Sequence, residues 1–179
     1  MGFESLTAGK NVPDDINVVI EIPAHNNPIK YEFDKTTGML MVDRFLGTSM
    51  FYPCEYGFIP QTLSEDGDPA DVLLVSPFAL TPGCIVRCRP VGLLRMTDES
   101  GHDAKILAVP VDKLTTRYQH ITRPKDLGMH LINTIEHFFK HYKDLEVGKW
   151  VKIDGWEDAA AAREEILASI ERYREKVAS

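Results

Sequence analysis

The feature that most constrains this chain is a change of hydrophobic period. Up to Val109, apolar residues come in short, β-branched runs bounded by turn-forming residues; from Lys125 onward they recur at helical spacing. Ile16 to Ile22 is one such run, bounded by Asp14-Asp15 and Pro23, and reads as a strand. Ile29 to Asp34 alternates polar and apolar, Thr36-Thr37-Gly38 is a turn signal, and Met39 to Phe45 reads as the hairpin partner. Further strands are expected at Val72 to Val75, Ile85 to Met96 and Ala104 to Val109, with Pro90 marking an edge or a bulge. Beyond them, Leu127, Leu131, Ile135, Phe138, Phe139 and Tyr142 share a helix face. Asp158 to Lys176 reads as a second helix with Ile166 and Ile170 on one side.

Short strands followed by two helices predict an α+β fold, a small closed β-barrel with the helices packed on it. The 179 residues suit one domain, taken as 1–179, because no repeat, linker or compositional break divides them. The formal charge is -7, from 27 acids against 20 bases, which argues against nucleic acid as a partner. It does not argue against an anionic ligand, since bound divalent metal reverses the local sign of an acidic pocket. No segment approaches the ~18 apolar residues that span a membrane, and Met1 to Lys10 lacks the apolar run of a signal peptide. Cys54, Cys84 and Cys88 are odd in number and form no CxxC pair, so reduced thiols are expected rather than zinc ligands. The expectation is a soluble, cytoplasmic protein with no membrane partner.

Chemistry concentrates in Asp66-Gly67-Asp68-Pro69-Ala70-Asp71. Three carboxylates this close repel one another unless a cation sits among them. Hard divalent ions prefer oxygen ligands, and magnesium is usually held by one or two carboxylates plus water and phosphate. Gly67 lets the backbone turn sharply, and Pro69 stiffens it. An EF-hand does not fit: counted from Asp66, the places that need Gly and Glu hold Asp71 and Pro77. Taken alone, a DxD segment is more often a solvated acidic loop.

A second acidic cluster comprises Asp98, Glu99 and Asp103, with Ser100-Gly101 as a hairpin turn. In an extended strand Asp103 and Lys105 point to one face. Lys30 and Glu32 likewise share a face of their strand. Glu21 interrupts an apolar strand, and for that residue alone the solvent face is the expected place. Candidate phosphate binders are Lys30, Arg44, Tyr56, Lys105, Tyr142 and Lys143. Arginine offers a planar fork, lysine a point charge, and tyrosine a neutral donor that does not compete with metal.

Together these residues resemble the soluble family I inorganic pyrophosphatases, particularly the bacterial form. The resemblance runs through Val19 to Pro23, Pro28 to Glu32, Val42-Asp43-Arg44, Phe51 to Gly57, Asp66 to Val72, Met96 to Glu99, Asp103 to Lys105 and His141 to Leu145. It implies an oligonucleotide-binding-like barrel with a site at its mouth and several Mg2+ ions per site. By that resemblance Asp66, Asp71 and Asp103 hold one ion, Asp71 touches a second, and Asp98 with Asp103 serves metal arriving with substrate. Glu21 and Glu32 complete the acidic rim. Lys30, Arg44, Tyr56, Lys105, Tyr142 and Lys143 hold the phosphates, and Asp68 is the catalytic base. The implied reaction is hydrolysis of pyrophosphate to two phosphates by a metal-activated water, without a covalent intermediate.

The resemblance also implies a homohexamer. His137, His141 and Asp144 match its subunit-contact positions and lie on one helix face. Two departures stand out. Ala70 replaces a larger aliphatic residue, a volume change expected to leave metal binding intact. Ala24-His25-Asn26-Asn27 lacks the acidic form that holds an inter-subunit metal, so that metal is not expected. Two other readings are a barrel-type nucleic-acid module, which needs a basic groove with stacking aromatics, and a metal-dependent phosphatase of another substrate.

Overall fold

The structure, a computed structural model, describes residues 5–34 and 36–179. Its strands are β1 (Gly9–Asn11), β2 (Asp15–Ile22), β3 (Ile29–Phe33), β4 (Leu40–Phe45), β5 (Glu55–Phe58), β6 (Asp71–Leu74), β7 (Ile85–Asp98), β8 (Gly101–Pro110) and β9 (Val151–Glu157). The helices are α1 (Met129–His141) and α2 (Ala159–Ala178).

The sheet runs β1-β2-β5-β6-β8-β7-β9, and β2 also pairs with β7. That extra pairing closes β2, β5, β6, β8 and β7 into a five-stranded barrel. Pro90 lies where it costs no ladder bond. One edge of β7 pairs with β2 through Cys88 and with β9 from Leu93, and Pro90 falls in the gap beside a bulge. The β3–β4 hairpin stands apart as a two-stranded sheet.

β6 and β8 read as unbroken apolar runs because both of their faces are covered. Leu73 and Leu107 join Phe138, Phe139 and Ile135 of α1 in one core. Val72, Leu74, Ile106 and Ala108 join Ala162, Ile166 and Ile170 of α2 in another. Asp158 starts α2, its carboxylate accepting the Ala161 N–H. The first helical stretch is shorter than its spacing suggests. Pro124 to Leu127 forms a 3-10 turn, and Gly128, at a φ of 91°, separates it from α1.

Three strands escaped the pattern reading. β1 is only three residues long. β5 carries Gly57 between Tyr56 and Phe58, and a glycine weakens a strand signal. Here it is required, because a Cβ would lie 2.0 Å from the Val19 carbonyl oxygen across the pair. β9 does alternate, from Val151 to Asp154, until Gly155 interrupts it at a φ of 136°. All three cysteines are free; Cys54 and Cys88 are buried and Cys84 is partly exposed.

Candidate active site

The strand ends converge on a cleft of about 990 Å³. Parallel pairing of β6 with β8 sets Asp71 against Lys105, and β7–β8 pairing sets Asp103 two residues before Lys105 on the same face. β5 contributes Tyr56, β2 Glu21, the hairpin Lys30, Glu32 and Arg44, and the end of α1 Tyr142 and Lys143. The β5–β6 loop brings Asp66 and Asp68. All thirteen residues expected from the sequence line this one cleft.

Lys105 is its buried centre. The ammonium donates to Asp71 at 2.8 Å, to Tyr56 Oη at 3.2 Å, and lies 3.0 Å from Asp103 Oδ2. It also sits over the Tyr56 and Phe139 rings. Burial disfavours its charge, yet Asp103 and Asp71 outweigh that and hold it well above the usual lysine range. Lys143 follows the same logic. It is desolvated, but its bonds to Asp98 at 2.8 Å and Glu99 at 3.2 Å keep it charged and raise its pKa. Burial pushes the Tyr56 and Tyr142 phenols up, so both are neutral donors at any working pH.

Glu21 does not take the solvent face. It is 8% exposed, and beside a bulge between Ile20 and Ile22 it accepts the Phe33 N–H at 3.0 Å. Burial pushes its carboxyl up to about 8, only partly offset by that bond. Folding favours the protonated acid, so its contribution to stability is intact at low pH and is lost as pH rises through about 8. Glu21→Gln is therefore expected to raise the thermal midpoint of metal-free protein more at pH 8 than at pH 5. Equal shifts at both pH values, measured by circular dichroism, would contradict this.

The acidic loop is tightly folded. Gly67 has a φ of 92°, Ser64 N–H donates to the Asp68 carbonyl at 2.7 Å, and Asp68 N–H donates to the Asp66 carboxylate at 3.1 Å. Asp66 and Asp68 face solvent at the cleft wall. Ala70 is buried at 2% exposure in the core that α2 covers.

Two carboxylates outside the sequence expectation stand behind the cleft's cations. Asp43 lies 3.1 Å from Lys30, and Glu146 lies 3.2 Å from Arg44 and 3.3 Å from Lys149. These carboxylates flank cations rather than the acidic loop. Asp43 was visible beside Arg44, but Glu146 needed the loop after α1 to fold back onto β4. Tyr173 and Lys176 of α2 also line the cleft, which only the packing of α2 could reveal.

The donor set is carboxylate oxygen, which suits a hard divalent cation. Among the described residues no three His, Cys, Asp or Glu side chains are placed to hold a metal ion by themselves. Magnesium needs no such trio, since water and phosphate complete its shell. Lys105 between Asp71 and Asp103 shows that these carboxylates already accept one cation.

A barrel with a carboxylate and lysine cleft at its mouth defines a class of metal-assisted, anion-binding site. Residues 18–174 match the sequence profile of the inorganic pyrophosphatase family. The chain is 62% identical over 174 residues to the inorganic pyrophosphatase of Yersinia pestis, covering 97% of this chain and 99% of that one. It is 59% identical to that of Escherichia coli (strain K12), covering 98% and 100%. The crystal structure of inorganic pyrophosphatase from Thermus thermophilus superposes with a TM-score of 0.92 at 45% identity, covering 97% and 99%. The chain belongs to the inorganic pyrophosphatase family.

Proposed function

We propose that this chain hydrolyses inorganic pyrophosphate to two phosphates, as a single domain over residues 1–179 with several Mg2+ ions in the cleft. One observation carries the reading: carboxylates suited to a hard metal and cations suited to phosphate line the same cleft. Asp66, Asp71, Asp98, Asp103, Glu21 and Glu32 would hold the metal. When bound, magnesium supplies charge neutralisation and lowers the pKa of a coordinated water from ~15.7 toward roughly 7.

The residues do the rest. Lys105 and Lys143, kept charged by their carboxylate partners, meet one phosphate side; Lys30 and Arg44 approach from the hairpin. Tyr56 and Tyr142 donate hydrogen bonds without adding charge. Asp68 takes the proton of the attacking water. The cations stabilise charge on the departing phosphate, and no side chain is needed as a nucleophile.

Metal removal is the direct test. Phosphate release from pyrophosphate should fall to background under chelator and return when excess Mg2+ is added. Full activity in chelator would refute the metal's role. A nucleic-acid module has less support, because Lys30, Lys105 and Lys143 of the cleft are each paired with a carboxylate.

The reading extends to a cytoplasmic homohexamer. His141 Nδ1 lies 2.8 Å from Asp144, and the His137 and His141 rings are 4.9 Å apart, so the three share one exposed stretch of α1 and its end. Placing charge there, as in His141→Glu, should split the assembly, because like charges across a symmetric contact repel. By sedimentation the parent should run near six chain masses of 20.2 kDa, and the variant below that. A variant that remains hexameric would remove these residues from the contact.

A further inference from the structure

We infer that Arg172 of α2 is a positioning residue for the acidic loop, holding Asp66 and Asp68 where the reaction needs them. The inference rests on the pyrophosphatase reading for its consequence, but not for its geometry.

Two attachments hold the ends of the segment that leads into the loop. At its neck, buried Thr62 donates through Oγ1 to the Ile59 carbonyl at 2.5 Å and accepts the Ala70 N–H at 2.9 Å, while Ile59 N–H donates to the Ala70 carbonyl at 3.0 Å. The second attachment is remote in sequence. Leu63 has both of its backbone polar groups taken by α2. Its N–H donates to the Ser169 carbonyl at 2.8 Å, and its carbonyl accepts from Arg172 Nε at 2.7 Å. Arg172 is itself held by Glu165, at 2.7 Å from Nη2.

From Leu63 the path to the carboxylates is short and stiff. Ser64 follows directly, and its N–H and carbonyl close the turn onto the Asp68 carbonyl and the Gly67 N–H. The Asp68 N–H then fixes the Asp66 carboxylate. A shift of Leu63 therefore moves both acids as a unit. The Thr62 neck cannot prevent this alone, because it secures Ile59, Thr62 and Ala70 but makes no bond to residues 63–68. A hydrogen bond from a charged donor to a backbone carbonyl is among the stronger kind, and Arg172 has its geometry set by Glu165 before it meets Leu63. Arg172, Glu165 and Ser169 do not line the cleft.

The test compares Arg172→Leu, which removes both bonds, with Arg172→Lys, which keeps one charged donor for the Leu63 carbonyl. Outer-shell losses of this kind typically cost about 10–100-fold in metal affinity or activity. In Arg172→Leu the Mg2+ dissociation constant, read by calorimetry without substrate, should rise about tenfold, and kcat should fall about tenfold. KM for pyrophosphate at saturating Mg2+ should stay within about twofold, because the phosphate-binding cations are untouched. Arg172→Lys should recover most of both losses. Amide hydrogen exchange in the metal-free protein should speed up over residues 63–68 and remain unchanged in β6 and β8.

A purely structural role would lower the thermal midpoint and leave the metal curve alone; that result overturns the inference. So would unchanged exchange over residues 63–68. Should Arg172→Leu fail to fold, Glu165→Gln frees the guanidinium and carries the same expectations in weaker form, with the same refuting outcomes. Failure of the parent to release phosphate would instead count against the pyrophosphatase reading, and the exchange experiment would still decide the positioning.

Discussion

Asp68→Asn is expected to lower kcat for phosphate release by roughly 10²–10⁴-fold, the range that a positioned general base contributes. The fold should survive. Asp68 is exposed on the cleft wall, and its backbone N–H and carbonyl, which hold the turn, are unaltered by the substitution. An amide is nearly the same shape as a carboxylate but takes no proton at neutral pH. KM should change little, because Lys30, Arg44, Lys105 and Lys143 still meet the phosphates. Initial rates at saturating Mg2+ check this, with circular dichroism for the fold. Near-normal turnover would remove Asp68 as the base.

Lys105→Met should produce the other large effect, and it acts on stability as well as on rate. Only 4% of the lysine side chain is exposed, against 27% for Asp71 and 19% for Asp103. The apolar replacement fills similar space but leaves two carboxylates side by side with no cation between them. Breaking a buried pair costs about 3–5 kcal/mol; these acids reach solvent, so about 2 kcal/mol is the expected loss in metal-free protein. Divalent metal can then settle between Asp71 and Asp103. The variant should therefore be stabilised by Mg2+ more than the parent is. Activity should fall by about 10²-fold or more, since a preorganised cation is lost at the phosphate. Thermal midpoints with and without Mg2+, beside initial rates, test both halves. A variant as stable and as active as the parent would contradict the central place given to Lys105.

The barrel and the two helices were legible because period survives in sequence. β2, β3, β4, β6, β7 and β8 all carry alternating or β-branched runs, and α2 begins at the expected Asp158 cap. Gly57 and Gly155 break their strands' patterns, one for a close approach to Val19 and the other at a bulge. Gly128 moves the start of α1 past Pro124 to Leu127. Glu21 was misread in isolation because both faces of β2 are covered here: Val19, on the same face in a regular strand, is as buried as Ile20 on the other.

The cleft was legible as residue types, but its electrostatics were not. That Lys105 would sit between Asp71 and Asp103 depends on parallel β6–β8 pairing, which no local pattern encodes. The same holds for Glu146 on Arg44, across 102 residues, and for Arg172 on Leu63, across 109.

The central claim is that the cleft acts on the phosphoanhydride of pyrophosphate. The measurement that bears on it most directly is the initial rate of phosphate release from pyrophosphate, a nucleoside triphosphate and a phosphate monoester, each at saturating Mg2+. The account predicts rapid release from pyrophosphate and kcat/KM values at least about 10²-fold lower for the other two, a difference of about 2.7 kcal/mol in transition-state stabilisation. No release from pyrophosphate, or a monoester cleaved as fast, would contradict it.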